Sequence, residues 1–393
     1  MFIRFRLALI LGLIVFSQSS LASAEDVPHV RDDAKRIVRI LASRAYWGRG
    51  YTKHGMRKAS RFVEREMTEA GLTPLAGKDF RQPFQYPVNT FPGKMEVRVN
   101  GHPLTPGVDY IVSPSTKGGK LAGDLTPKGP DTYLDPTGKV TILVKDKLTW
   151  SVSGKQVEGA VITLDRAKFR ETPNRFAFDI ESTLVPSFHA QNLAGVVRGT
   201  VNPDRYMVFT AHYDHLGGMG TEAFFPGAND NASGVSLLLS LAKYYVAHPQ
   251  PYSIAFIFFA GEEAGLIGSK YFAEHPLIDL KKIRFVMNFD LEGTGESGAT
   301  VVNASEFPTE FAVLTKINSE GHYLSQIGSR GKAANSDHYW FSEHGVPAFF
   351  MYTMGGIKAY HDVFDRAETL PLNKVDDVFA LTLKFGQKLS ETE

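Results

Sequence analysis

Residues 205–214 read RYMVFTAHYD, residues 252–261 read YSIAFIFFAG, and between them SGVSLLLSLAKYYVAH fills 233–248. The outer stretches are short apolar runs, and 252–261 is apolar at successive positions. That is how a strand covered on both faces reads, because alternate side chains point to opposite sides. The middle stretch repeats its apolar residues at helical spacing. Strand, loop, helix, strand is the grammar of an α/β sheet, and it continues outward. QNLAGVVRG (191–199), IRFVMNFD (283–290) and VPAFFMY (346–352) read as further strands. LIGSKYFAEH (266–275), TEFAVLTKINSEG (309–321) and KVDDVFALTLKFGQKLSE (374–391) read as helices. The expected fold class is α/β, with a mostly parallel central sheet and helices on both faces.

The grammar differs before residue 190. VRDDAKRIVRILAS (30–43) and MRKASRFVEREMTEAG (56–71) read as helices, with Gly71 as a C-cap, and the Gly-rich WGRGYTKHG (47–55) joins them. From about 84 to 188, short strand signals (MEVRV, DYIV, KVTILVK, GAVITLD) alternate with Pro and Gly clusters. The expected organisation is 25–84 as the N-terminal helical part of the main domain, 85–188 as a small β-rich inserted domain, and 189–393 as the main domain. Residues 1–24 are a separate object. Arg4 and Arg6 precede the apolar run LALILGLIVF, and Ala22-Ser23-Ala24 closes it. This predicts a signal peptide cut after Ala24, hence export to the periplasm or the medium, and no stable membrane insertion.

The 393 residues include no cysteine, which rules out disulfides, thiolate metal sites and cysteine nucleophiles. Formal net charge is +1, and loss of Arg4 and Arg6 takes it to −1. With no basic block either, nucleic acid is not an expected partner.

Five polar sites fall at or near predicted strand ends, where ligands bind in open α/β sheets. They are His212 and Asp214 in AHYDH, Asp230 in PGANDNASG, Glu262 and Glu263 in AGEEAG, Asp290 in NFDLEG, and His361 in YHDVFD. Each alone reads as a solvated loop residue. Together, two histidines and three carboxylates can hold two divalent ions if one carboxylate bridges them, and this donor mixture suits zinc. Asp214 is spaced to orient the His212 ring, and Asp365 to do the same for His361. The adjacent pair Glu262-Glu263 follows an apolar strand, so one acid can ligate a metal while its neighbour serves as a general base. The plain alternative for the pair is a solvated loop or helix start.

The ordered set AHYDH, PGANDNASG, FAGEEAGLIGS, MNFDLEG, SDHYWF and YHDVFD resembles the co-catalytic zinc exopeptidases. That family includes secreted bacterial leucine-type aminopeptidases and, as relatives, glutamate carboxypeptidase II and the transferrin-receptor ectodomain. The resemblance covers about 190–390 and the helices of 30–84. It implies the zinc-exopeptidase fold and two zinc ions per chain. His212, Asp230 and Asp290 would hold one zinc, and Glu263, His361 and the bridging Asp230 the other. Glu262 would be the general base and Asp214 the residue that orients His212. The implied partners are peptides with a free N-terminus. The position of 85–188 is similar to that of protease-associated insertions in the family.

Other features read more plainly. Ser336-Asp337-His338 is expected as a structural loop at the site's rim, because consecutive residues do not converge as a triad and no G-x-S-x-G elbow is present. His215 reads as a supporting residue. Tyr360, Met354, Phe224 and Phe225 are candidates for a specificity pocket. A carboxypeptidase or dipeptidase of the same fold would need a cation for the substrate carboxylate, and Arg198, Arg330, Lys332 and Lys358 are available. A glutaminyl cyclase and a non-catalytic binding protein are the remaining alternatives.

Overall fold

A computed structural model describes residues 28–391, so the expected signal peptide lies outside the described residues. The main sheet has nine strands: β1 (Thr73–Pro74), β2 (Arg81–Thr90), β3 (Thr183–Val197), β4 (Asn202–His212), β5 (Tyr252–Phe259), β6 (Ile283–Phe289), β7 (Ala299–Val302), β8 (Ile327–Ser329) and β9 (Ala348–Thr353). Their spatial order is β1-β3-β5-β4-β6-β9-β7-β8, with β2 also paired to β3.

The centre, β5-β4-β6-β9, is parallel. The flanks are not: β3 runs antiparallel to β5, to β2 and to β1, and β7 runs antiparallel to β9. The sheet is therefore mixed, which corrects the mostly parallel expectation. The reason lies in connection length. Only residues 198–201 join β3 to β4, and 290–298 join β6 to β7. Parallel strands need a crossover of a dozen residues or more, so these short links reverse the chain.

Both faces of the sheet are covered. Ile254, Phe256 and Phe258 of β5 enter one core, while Ala255, Ile257 and Phe259 enter the other. Helices α1 (Arg31–Leu41), α2 (Gly55–Ala70), α3 (Gly234–Ala247), α5 (Pro308–Gly321) and α7 (Val375–Ser390) contribute to the first. Helices α4 (Ile267–Glu274) and α6 (His338–Glu343) supply Phe272 and Phe341 to the second. Gly71 ends α2 at φ 89°, a left-handed cap that a side chain would strain. No helix among the described residues is long and apolar enough to cross a membrane.

Between β2 and β3 the chain builds two further sheets, of five and four strands. Alternating residues such as Val97, Val99, Ile142, Ile162, Phe176 and Phe178 form a separate core. That core also takes in Leu216, Met219, Phe225 and Val363 from loops of the main sheet. The β2–β3 pair continues from the main sheet toward this β-rich region and spans residues 84–85 and 188–189.

Phe209 sits at the centre of the first core, with ring centroids 5.9 Å from Tyr245, 6.0 Å from Phe256 and 6.1 Å from Phe289. Phe209→Ala is expected to destabilise the chain by about 3–5 kcal/mol in urea unfolding. A loss below about 1 kcal/mol would contradict this packing.

Candidate metal centre

Parallel strands bring their carboxyl ends to one edge, and that edge collects the polar residues. His212 closes β4, Glu262 and Glu263 follow β5, and Asp290 follows β6. Asp230 lies on the turn before α3, and His361 on the loop after β9. The His212 Nε2 atom is 3.4 Å from Asp230 Oδ1 and 3.3 Å from Asp290 Oδ1. His361 Nε2 is 3.0 Å from Asp230 Oδ2 and 3.2 Å from Glu263 Oε2. Asp230 thus stands between two groups of donors and turns one oxygen toward each. All five residues that the sequence put forward as ligands converge here.

The donors are buried and incompletely satisfied. His212 Nε2 and Asp290 Oδ1 face each other without a hydrogen bond from any protein group. Orphaned buried atoms of this kind call for a partner. Imidazole nitrogens and carboxylate oxygens grouped within 4.8 Å of one another are the donor chemistry of a divalent ion, and in particular of zinc. The residues present fit the metal.

Without that charge the site relies on protons. Burial would lower His361, yet Glu263 and Asp230 push it up to about 12. Burial would raise Glu263, but His361 and His215 hold its carboxyl down at about 2. For Glu262, burial drives the carboxyl well above the usual range; His212 opposes this, and Glu263, Asp290 and Asp337 add to it.

Other residues hold the donors in place. Asp365 accepts the backbone N–H of Asn229 (2.8 Å) and of Asp230 (3.0 Å). It therefore fixes the Asp230 turn and not His361, which corrects its expected role. Arg49 is fully buried and donates to five carbonyl oxygens, those of Leu41, Tyr213, Pro226, Gly227 and Asp230. Burial pulls its guanidinium down to about 10, against the pull of Asp230 and Asp365, so it stays charged at neutral pH. Gly227 (φ 61°) is required beside it, because a Cβ there would lie 2.2 Å from the Asp230 carbonyl oxygen. The Asp214 carboxylate stands 3.6 Å from His212 Nδ1 and accepts the Glu262 N–H at 3.3 Å; its carbonyl oxygen is nearer the ring, at 3.2 Å. His215 Nδ1 is 2.5 Å from Glu263 Oε1.

Two supports carried no sequence signal for their role. Ser336 is buried beneath the site rather than at its rim, and its hydroxyl donates to Asp290 Oδ2 at 3.0 Å. It accepts from Asn288, which in turn accepts from Thr210. His338 makes no bond to that hydroxyl, and burial holds its ring at about 3. The second support comes from the β-rich region. The Trp150 carbonyl oxygen lies 3.0 Å from His361 Nδ1, and the Trp150 N–H donates to the His361 carbonyl. Lys147 reaches the same loop, donating to the Lys358 carbonyl at 2.9 Å and standing 3.7 Å from Asp362.

A cleft of about 390 Å³ opens onto Glu262, Glu263, Asp290 and His361, with Leu266, Phe350, Tyr352 and Tyr360 in its walls. Of the four expected specificity residues only Tyr360 lines it. Phe224 stacks on Trp47, Phe225 is buried against Trp150, and the Met354 sulfur accepts from Thr300. Two larger clefts, of about 600 and 580 Å³, contain no histidine. Chemistry rather than size therefore selects the site.

Residues 192–386 match the model of Peptidase family M28. The Bacillus subtilis protein Aminopeptidase YwaD is 29% identical over 249 residues, 58% of this chain and 52% of that protein. The chain thus spans about half the length of this curated relative. Among solved structures, a zinc aminopeptidase from Bacillus subtilis superposes with a TM-score of 0.70 at 18% identity, covering 92% of this chain and 96% of that one. An aminopeptidase from Aneurinibacillus sp. strain AM-1 gives 0.65 at 17%, covering 91% and 93%. At that identity the likeness is one of fold.

If Lys147 and Trp150 steady the His361 loop, Lys147→Met should weaken binding of a divalent metal about tenfold, read by chelator competition. Arg166→Met, which breaks exposed pairs with Asp131 and Asp146 and a long bond to the Val144 carbonyl, all within the β-rich region, is the control. Equal affinities in the two variants would remove Lys147 from the support of the metal-binding loop.

Proposed function

Because the chain is homologous to Peptidase family M28 over residues 192–386, we propose that it is a zinc-dependent aminopeptidase that binds two zinc ions and removes the first residue from peptides with a free N-terminus. The observation that carries this reading is Asp230, with one oxygen toward His212 and the other toward His361. His212, Asp230 and Asp290 would hold one ion, and Asp230, Glu263 and His361 the other. A carboxylate shared in this way offsets the repulsion between neighbouring cations. The metals supply Lewis acidity, which polarises the scissile carbonyl and lowers the pKa of water in the site.

The chain's own residues do the rest. Glu262 lines the cleft without being needed as a ligand. Its carboxylate takes the proton of the attacking water and returns it to the departing amine. Asp214 holds Glu262 by its backbone N–H and faces His212 from behind. The Ser336 hydroxyl and the Asp365 carboxylate keep Asp290 and Asp230 aimed at the cleft. The acids favour a protonated α-amine near the scissile bond, which restricts cleavage to the first residue. Leu266, Phe350 and Tyr360 offer an apolar wall to the first side chain.

The pattern of residues 1–24 supports export, to the periplasm or the medium, with peptides as partners there. We read the β-rich region as an inserted domain that helps to shape the site through Trp150 and His361.

The test is turnover of one peptide offered with a free or an acetylated N-terminus to the mature, zinc-loaded protein. Cleavage should require the free amine, and metal analysis should return two zinc ions per chain. Glu262→Gln should lower kcat by about 10²–10⁴ while zinc content stays at two. Cleavage of the acetylated peptide would overturn the aminopeptidase reading, and undiminished kcat in the variant would remove Glu262 as the base.

A further inference from the structure

The walls of the cleft differ in charge. Asp230, Glu262, Glu263 and Asp290 crowd one part of it, and Arg330 is the one arginine or lysine among its lining residues. Arg330 follows β8, where its N–H donates to the Val301 carbonyl at 2.9 Å, so its backbone is part of the sheet edge rather than a free loop. The side chain is exposed and meets no carboxylate among the described residues. Its hydrogen bond goes to the Tyr352 hydroxyl, 3.2 Å from Nη1, and Tyr352 lines the same cleft.

The other cations available for this purpose stand elsewhere. Arg198 donates to the Tyr206 hydroxyl and the Leu75 carbonyl. Lys332 is paired with Glu343. Neither they nor Lys358 line the cleft.

An arginine with one nitrogen committed to a tyrosine hydroxyl keeps the remaining N–H groups of its planar fork for a carboxylate, which the fork matches in a bidentate manner. We propose that Arg330, steadied by Tyr352, is a specificity-determining residue that binds a carboxylate of the peptide substrate. The acid cluster would repel such a group, so Arg330 gives it the one favourable position in the cleft. This rests on the aminopeptidase reading: the α-amine lies at the acids and the carboxylate lies at the arginine. The substrate class is then short peptides whose C-terminal carboxylate reaches Arg330, or peptides with an acidic side chain near the scissile bond.

Binding reads this preference whether or not peptides are cut. Zinc-loaded Glu262→Gln protein would be titrated by calorimetry with two peptide pairs. Leu-Ala-Ala against its C-terminal amide tests the terminal carboxylate. Leu-Asp-Ala amide against Leu-Asn-Ala amide tests the side chain. One charged member is expected to bind at least tenfold more tightly than its neutral partner, and the pair that shows it names the source. Adding Arg330→Gln should bring that ratio close to one, and Arg330→Lys should restore part of it. Urea midpoints and zinc content measured alongside confirm that each variant is folded and loaded.

Ratios near one in both pairs, or a ratio that survives Arg330→Gln, would overturn the proposal. Turnover of the same peptides by the unaltered enzyme separates the two readings. Cleavage of all four with no preference sinks only the role of Arg330. A charge preference in binding without any cleavage sinks the peptidase activity and leaves the carboxylate site standing.

Discussion

Asp230, Glu262, Glu263 and Asp290 place four carboxyl groups at the end of one sheet, within reach of the same two imidazoles. Burying even one unpaired charge costs several kcal/mol, and like charges at this range add to that cost. The site has two ways to balance them. In the metal-free chain, Glu263 and Asp230 overcome burial to favour a proton on His361, and burial favours one on Glu262. Divalent ions would replace those protons with charge that also satisfies His212 Nε2 and Asp290 Oδ1, which no protein group does. Metal binding then releases protons and stabilises the fold together.

Such a site stays assembled only if its backbone does. Two charged side chains meet that need by bonding to the main chain rather than to each other. Arg49 gathers carbonyls from three separate segments, at residues 41, 213 and 226–230. Asp365 gathers the N–H groups at 229 and 230. Carbonyl oxygens left in loops at this depth would otherwise be orphaned. The irregular turn that presents Asp230 is therefore held from both of its polar sides, by a cation at the carbonyls and an anion at the amides.

What the sequence made legible follows the same physics. His212, Glu262, Glu263 and Asp290 were visible because each ends or follows a strand whose last residues are buried and largely apolar, where a charge is conspicuous. Asp230 and His361 were visible through motif order. The mixed sheet was not, since strand direction depends on which neighbour a short connection skips, as with β9 inserted between β6 and β7. The strand at Gly118–Asp124 was also hidden: it is largely exposed, so GGKLAGD has no apolar alternation to show, and it is a strand because its partner Arg175–Glu181 is one. Ser336 stood in a recognisable motif, but its depth beneath Asp290 is a property of packing.

Trp150 marks the limit of such reading most clearly. It acts on His361 through its backbone oxygen and N–H, and any residue supplies those. What is particular to tryptophan is the anchor. The indole stacks on Phe225 at 4.6 Å between centroids and donates to the Val112 carbonyl. Phe225 belongs to the loop between β4 and α3, so Trp150 joins the β-rich core and the Asp230 loop through its side chain and the His361 loop through its backbone. Loops of this length are normally exposed and mobile. Here residues 211–220 are buried throughout, because the β-rich region covers the side that the main sheet leaves open. The two cores therefore act on the site as its two walls, and irregular chain segments can hold a fixed geometry because neither wall is solvent.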